Sequence, residues 1–583
     1  MNQPAKRYTV LVWERDGLAA SEANRARLLD LLEDFARRVY NGTAARLVAG
    51  GETALLTEVG DLRPDLQALL AVYNHGGRLS LGPWYRQPAA RLVSGEALVR
   101  NLLAARDDAG RYGVELASVA FMPAVFGYPA QFPQVLCSFG IDTVVGTHDD
   151  PRPAFRWQGP DGSSLLVVNL NNHKTGESGL ELRVQTLSDD HQDGEYAGLE
   201  AYVEALRQAM PDSARPAVEG EPGCDRAAGI LSARLYIKQT NARLQAMLTH
   251  SAEPLLALAL SHGQLQNPDN LRALLRHGWR LLLQNQTPEA LGGTAGDPAH
   301  AEQDIRARQV EEVGEYIIGQ ALAALPGRPA RNAARTSETY VVVWNPHNWQ
   351  TQQAVTVPVE LAEGHYPMRL LDAEDREVPY TWADGSLHFV ADVPPVGYTT
   401  YILQLTLDSG DLDQPARTPG TSITSAVGDD KLLIANEQLI WRHLEPSVVD
   451  RGGQVLHESR VTDRIVDLLR FFDGGDAGDT FSYQTPDPDV MVQAHLLPTV
   501  EVETTRIYQR LILQHRLRLT PALNEQRGRV RGVKPLDLTT HITMYHHLPG
   551  MYFQTQFENT VRDHRLRAHI RTGLNSSQVL ADA

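Results

Sequence analysis

Tyr8-Thr9-Val10-Leu11-Val12-Trp13 is an apolar, β-favouring run that predicts a buried strand. Beyond the loop Glu14 to Ala20, the segment Ser21 to Val39 sets Leu28, Leu32, Phe35 and Val39 on one helical face. This strand-to-helix unit recurs. Apolar helices are predicted around Leu66 to Tyr73 and from Gly95 to Ala105, and strands at Ala117 to Phe121, Asp142 to Val145 and Leu165 to Leu170. Such alternation implies an α/β domain over residues 1–225, with a mostly parallel sheet or irregular barrel. Ligands in α/β sheets sit at the carboxyl ends of the strands, so the loops after Val12, Phe121 and Leu170 are the candidate site.

From about Ile230 the pattern turns helical. Leu231 to Leu260, Leu271 to Gln284 and Glu302 to Leu325 carry apolar residues at spacings of three and four, and Pro326-Gly327 stops the last of them. These helices predict a bundle over residues 226–328. After the connector Pro329 to Ser337 the period becomes two, with Tyr340 to Val343 and then Val355, Val357 and Val359 separated by polar residues, which predicts a small β-sandwich over 338–407. Asp408 to Thr421, holding Pro415, Pro419 and Gly420, reads as a linker into a second, partial β-sandwich over 420–583. Its final strands, His541 to Tyr545 and Met551 to Gln554, are joined through Pro549-Gly550 as a hairpin. The chain is multidomain, without internal repeats.

Composition narrows the partners. At 583 residues the chain is long enough for about three or four domains, and 42% apolar with 21% charged residues is an ordinary globular balance. The 71 Asp and Glu against 54 Lys and Arg give a formal charge of −17, which argues against nucleic acid. Cys137 and Cys224 are the only cysteines and show no Cys-x-x-Cys spacing, so neither a disulfide framework nor a thiolate zinc site is expected. No signal-like or membrane-length apolar segment is present, and the expected location is cytoplasmic.

The stretch Phe121-Met122-Pro123-Ala124-Val125-Phe126-Gly127-Tyr128 leaves a predicted strand where α/β chemistry is usually carried, yet Ala124 can neither ionise nor coordinate. Trp84, Phe126 and Tyr128 are candidate ligand-stacking residues, although aromatics near strand ends are more often core. Asp473 to Asp479 lacks the spacing and terminal Glu of an EF-hand loop and reads as a solvated turn. The histidines His541, His546, His547, His564 and His569 fall on strands whose alternation sends neighbours to opposite faces.

Several passages in order resemble the bacterial branch of the family-38 glycoside hydrolases, the retaining α-mannosidases. They are Gly82-Pro83-Trp84-Tyr85, Leu92 to Leu102 (LVSGEALVRNL), the Phe126-Gly127-Tyr128 turn, Leu231 to Gln239 (LSARLYIKQ), Asp473 to Asp479 (DGGDAGD) and Asp563 to Arg567 (DHRLR). The resemblance implies a zinc-dependent α/β site held by a His-x-Asp pair after the first strand, an Asp in the turn that is also the nucleophile, and a His after a bundle helix. At those positions this chain has Val12 and Glu14, Ala124, and Pro288. The family's acidic Pro-Asp-Glu is likewise replaced by Pro88-Ala89-Ala90. A catalytic zinc takes about three protein ligands, and here at most Glu14 remains, so no metal or other cofactor is expected. Asp190, in Ser188-Asp189-Asp190-His191-Gln192, matches the family's acid/base and survives as a remnant.

Retaining hydrolysis needs two carboxyls about 5 to 5.5 Å apart, and Ala124 closes that route. An inverting pair of Glu14 and Asp190 at about 6.5 to 9.5 Å is the remaining hydrolytic arrangement. The sequence thus favours an α-mannosidase-like homologue that has lost zinc and its nucleophile but keeps a carbohydrate ligand. The alternatives are a working glycosidase and a non-catalytic assembly subunit. The family continues its β-region beyond the Asp563 to Arg567 passage, so two expectations stand side by side: the sequence is a truncated form of the longer family chain, or a homo-oligomer or a partner chain completes a shortened C-terminal sandwich.

Overall fold

The structure, a computed structural model, describes residues 6–13, 22–42, 46–123, 127–148, 152–170, 180–186, 197–211, 215–220, 229–263, 265–326, 337–407, 416–419, 433–435, 439–442, 447–450, 455–458, 469–487, 489–548 and 550–570. The chain divides into two compact units, residues 1–324 with 479–483, and residues 325–478 with 484–580.

In the first unit, β1 (Lys6–Trp13), α1 (Glu22–Tyr40), β2 (Leu47–Ala49), α2 (Ala54–Gly60), α3 (Pro64–His75) and β3 (Leu79–Ser80) are followed by α4 (Gly95–Tyr112), β4 (Val119–Met122), α5 (Phe132–Ser138) and β5 (Thr143–Gly146). Then come β6 (Ala154–Gln158), β7 (Ser164–Asn169), β8 (Leu180–Thr186), α6 (Leu199–Ala209) and β9 (Ala217–Glu219). The strands form two sheets, β3-β2-β1-β8 and β4-β5-β7-β6-β9. The first is wholly parallel, with Val12 opposite Val48 and Thr186, and in the second only the β6–β7 pair is antiparallel. Val10, Val12 and Val48 of the first sheet share one apolar cluster with Phe121, Val145 and Val168 of the second, in keeping with the mostly parallel α/β domain read from the pattern.

The bundle helices are α7 (Leu235–Met247), α8 (Glu253–His262), α9 (Pro268–Gln284), α10 (Pro288–Gly292) and α11 (Asp297–Ala324). The helical stretch read from Leu231 to Leu260 contains a π-helical turn, Leu248–Ala252. The cause is Pro254, which has no N–H to donate back along the helix and whose ring crowds the preceding turn, so the backbone widens just ahead of it. Ile237, Leu244, Trp279, Val310 and Ile317 of the bundle lie in one core cluster with Phe132, Val144, Trp157 and Val167 from around the second sheet. Among the described residues no helix is long and apolar enough to cross a membrane.

The second unit is antiparallel. A four-stranded sheet built on Glu338–Asn345 and Gly397–Thr406 and a three-stranded sheet of Thr351–Pro358, Ser386–Val393 and Tyr380–Ala383 share a core of Val341, Leu370, Phe389, Tyr401 and Leu403. Alternation along Ser386–Val393 sends Leu387, Phe389, Ala391 and Val393 inward, as a strand period of two requires. Beyond it, Ala416–Pro419, His495–Thr504, Tyr508–Leu519, Lys534–Tyr545 and Tyr552–Phe557 form a five-stranded sheet, and the hairpin expected near Pro549-Gly550 pairs Thr543 with Tyr552. Leu469–Gly475 pairs with His564–Ile570.

Candidate functional site at the strand carboxyl ends

After β2 the chain turns through Gly50-Gly51. Gly51 has φ +73°, and a Cβ there would lie 2.9 Å from the Phe121 carbonyl oxygen of β4, so glycine lets the ends of β2 and β4 approach. The turn delivers Glu52, which is 5% exposed. Its Oε2 accepts a hydrogen bond from Arg86 Nη1 at 3.1 Å, and its Oε1 accepts from the Gln87 backbone N–H at 2.9 Å. Arg86 Nη2 donates to Glu58 on α2, and Gln87 Nε2 donates to the carbonyls of Gly50 and Phe121.

Burial alone would lower the Arg86 pKa, but Glu58 and Glu52 hold it above its ordinary value. The cation is therefore fixed between two carboxylates. Arg306 of α11 stands near it, donating through Nε to Asn285 Oδ1 at 2.6 Å; burial pushes its pKa down and Arg86 adds to that, against the pull of Glu302.

The run from Trp84 to Ser94 is tied to the bundle. The Ala89 N–H donates to the Gln286 carbonyl at 2.8 Å, Gln286 Nε2 donates to Asn241 Oδ1 at 2.8 Å, and Ser94 donates through both N–H and Oγ to Gln245 Oε1 at 2.9 Å. Pro288 is the buried first residue of α10, where its missing N–H costs nothing, and Thr287 caps the helix by accepting from the Ala290 N–H. Lys238 of α7 donates to the carbonyls of Gly292 and Ala233; burial, with Arg234 alongside, lowers its pKa to about 8. At the second sheet, Thr147 Oγ1 donates to the Pro123 carbonyl at 2.6 Å and the His148 N–H donates to Asn169 Oδ1 at 3.2 Å, joining the ends of β4, β5 and β7.

Val12 is fully buried in the apolar cluster between the sheets. Trp84 and Tyr128, read as ligand-stacking candidates, are core residues: they are 0% and 1% exposed, and both rings pack on Phe132, at 5.9 and 4.8 Å between centroids. A ring without accessible surface cannot stack on a ligand. Glu14, Ala124, Phe126 and Asp190 lie outside the described residues.

The solvated turn expected at Asp473 to Asp479 also needs correction. Asp473 is fully buried and bonded to His564 Nδ1 at 2.5 Å, while Asp476 and Asp479 accept backbone N–H groups. The following residues, 479–483, return to the first unit, where the Gly229 N–H donates to the Phe481 carbonyl at 2.9 Å.

No family model matches the chain. A protein of Halalkalibacterium halodurans, provisionally named a mannosylglycerate hydrolase, is 23% identical over 95% of this chain and 74% of its own length. Alpha-mannosidase 2C1 of Mus musculus is 24% identical over 51% of this chain and 32% of its own. The crystal structure of an alpha-mannosidase from Enterococcus faecalis V583 superposes with a TM-score of 0.78 at 19% identity, covering 98% of this chain and 76% of that one. The chain is α-mannosidase-like and has the family-38 glycoside hydrolase fold.

A second Enterococcus faecalis structure, described as a protein in glycosyl hydrolase family 38, gives a TM-score of 0.75 over 97% of this chain. Against that family, Val12 and Pro288 offer no side-chain nitrogen, oxygen or sulfur at two of the implied zinc-ligand positions. Among the described residues no group of three or more His, Cys, Asp or Glu side chains is placed to hold a metal ion. Sequence reasoning missed Glu52, Glu58 and Arg86. Gly50-Gly51-Glu52 after a short apolar run, and Arg86 directly after Gly82-Pro83-Trp84-Tyr85, were the available signals.

Proposed function

We propose that this chain is a glycoside-hydrolase-like, carbohydrate-related protein in which the α/β domain has given up zinc and nucleophile chemistry and acts without hydrolysis. The observation that carries the reading is Val12, an isopropyl group fully buried in the apolar cluster between the two sheets, where the family implies a metal-binding imidazole. Pro288, with no donor atom, and the internally paired charges around Arg86 support it. With Ala124 in the turn, the chain has no carboxylate where the family implies its nucleophile.

The test is metal analysis of the purified protein together with an aryl α-mannoside assay, with and without chelator. The expected result is far less than one zinc per chain and no chelator-sensitive turnover. Stoichiometric zinc, or turnover abolished by chelator and restored by zinc, overturns the reading.

A further inference from the structure

The second unit holds a cavity of about 580 Å³ between the three-stranded sheet of its first sandwich and the end of the five-stranded sheet. That volume lies within the roughly 300–1,000 Å³ of small-molecule sites. One wall is the hairpin that carries Trp382 and turns through Ala383-Asp384-Gly385-Ser386, in which Asp384 and Gly385 have φ +50° and +70°, the tight turn that Asp-Gly favours. Trp382 presents a half-buried indole there. The opposite wall carries Glu503, Tyr508, Arg510 and Tyr545.

The charges of that wall are already matched. Arg510 Nη1 donates to Glu503 Oε1 at 3.0 Å, its Nε donates to Thr543 Oγ1 at 3.0 Å, and its guanidinium lies 4.5 Å over the Tyr508 ring. Glu503, 2% exposed, also accepts from the Tyr508 hydroxyl. The His388 imidazole bonds Thr356 Oγ1 at 3.0 Å, and burial, with Arg510 also facing it, pushes its pKa down, so it is neutral at pH 7. An anion entering this cavity meets a guanidinium already neutralised by Glu503, while Asp384 adds a carboxylate to the lining. A neutral ligand that offers an apolar face to an indole and hydroxyls to fixed polar groups satisfies every wall.

We propose that this cavity is a carbohydrate-binding site for a neutral oligosaccharide, with Trp382 as its stacking face. The site is built wholly within the second unit and does not depend on the fate of the α/β domain.

The test is isothermal calorimetry on the full chain with neutral mannobioses and other neutral disaccharides, and with inorganic phosphate as the charged comparison. A saturable disaccharide isotherm is expected, weakened at least tenfold by Trp382→Ala. Because Trp382 also touches the sandwich core, a second variant, Thr356→Trp, fills the cavity from an exposed lining position and is expected to weaken binding as much with the melting temperature kept. The proposal is overturned if no neutral disaccharide binds, if phosphate binds instead, or if Thr356→Trp binds sugar as the parent does.

Discussion

Replacing Arg86 with Met tests whether the floor of the α/β site is held by its own charges. Arg86 is 5% exposed and lies between Glu52, also 5% exposed, and Glu58. Truncating one member of a buried ion pair costs about 3–5 kcal/mol, because the partner keeps its desolvation penalty without compensation. Here two carboxylates lose one cation, though Glu52 keeps the Gln87 N–H, so about 3–5 kcal/mol is expected rather than twice that. Methionine preserves most of the stem packing, which isolates the charge term. Two units preclude a single two-state transition. The assay is therefore denaturant-dependent hydrogen exchange over residues 47–123, compared between the parent, Arg86→Met, and Arg86→Met combined with Glu52→Gln and Glu58→Gln. The triple variant should recover a substantial part of the loss, since it removes the stranded charges. A loss below about 1 kcal/mol, or no recovery in the triple variant, refutes the reasoning.

His515 is buried against Phe471, and burial depresses its pKa from 6.5 to about 4. The folded state thus binds fewer protons, and stability present above pH 6.5 is lost as pH falls to 4. At about 1.36 kcal/mol per unit this is roughly 3 kcal/mol, to be seen as a falling melting temperature of the second unit that His515→Leu flattens. At Gly229 a Cβ would lie 2.9 Å from the Phe481 carbonyl carbon and 3.0 Å from its oxygen, so Gly229→Ala should loosen the 479–483 return, read as faster deuterium uptake there while strands of the second unit are unchanged.

Periodicity exposed what depends on one element. Val12 was recognisable as buried because it lies in a continuous apolar, β-favouring run, and α11 because Val310, Ile317 and Ala321 repeat on one face. Features that depend on two distant elements were not legible. Glu52 and Arg86 are 34 residues apart, and Asp473 and His564 are 91 apart, so nothing in either local stretch tells a buried, paired carboxylate from a hydrated one. Trp84 and Tyr128 failed as ligand contacts for a related reason. A strand end places an aromatic ring close to the cleft and the core alike, and only the packing of Phe132 and Trp157 decides which it faces.

On the reading proposed above, the replacements at the family's ligand positions are energetically linked. A metal cage stabilises its ligands only when enough of them are present. Once one is gone, a buried imidazole is left as a polar group in apolar surroundings, at a cost of about 1–3 kcal/mol if unpaired, whereas an apolar side chain in the same place contributes about 1.5–3 kcal/mol by burial. Val12, in contact with the cluster of Val10, Val48, Phe121 and Val168, fits that second outcome. Restoring the imidazole alone should therefore be a loss. Val12→His is expected to destabilise the first unit by about 2.5–6 kcal/mol, the sum of both terms, and added zinc should not raise its melting temperature because Pro288 and Ala124 supply no companion donor. A zinc-dependent rise in the melting temperature of Val12→His, absent from the parent, would mean that donors outside this set still converge on the position, and the linked-loss argument would fail.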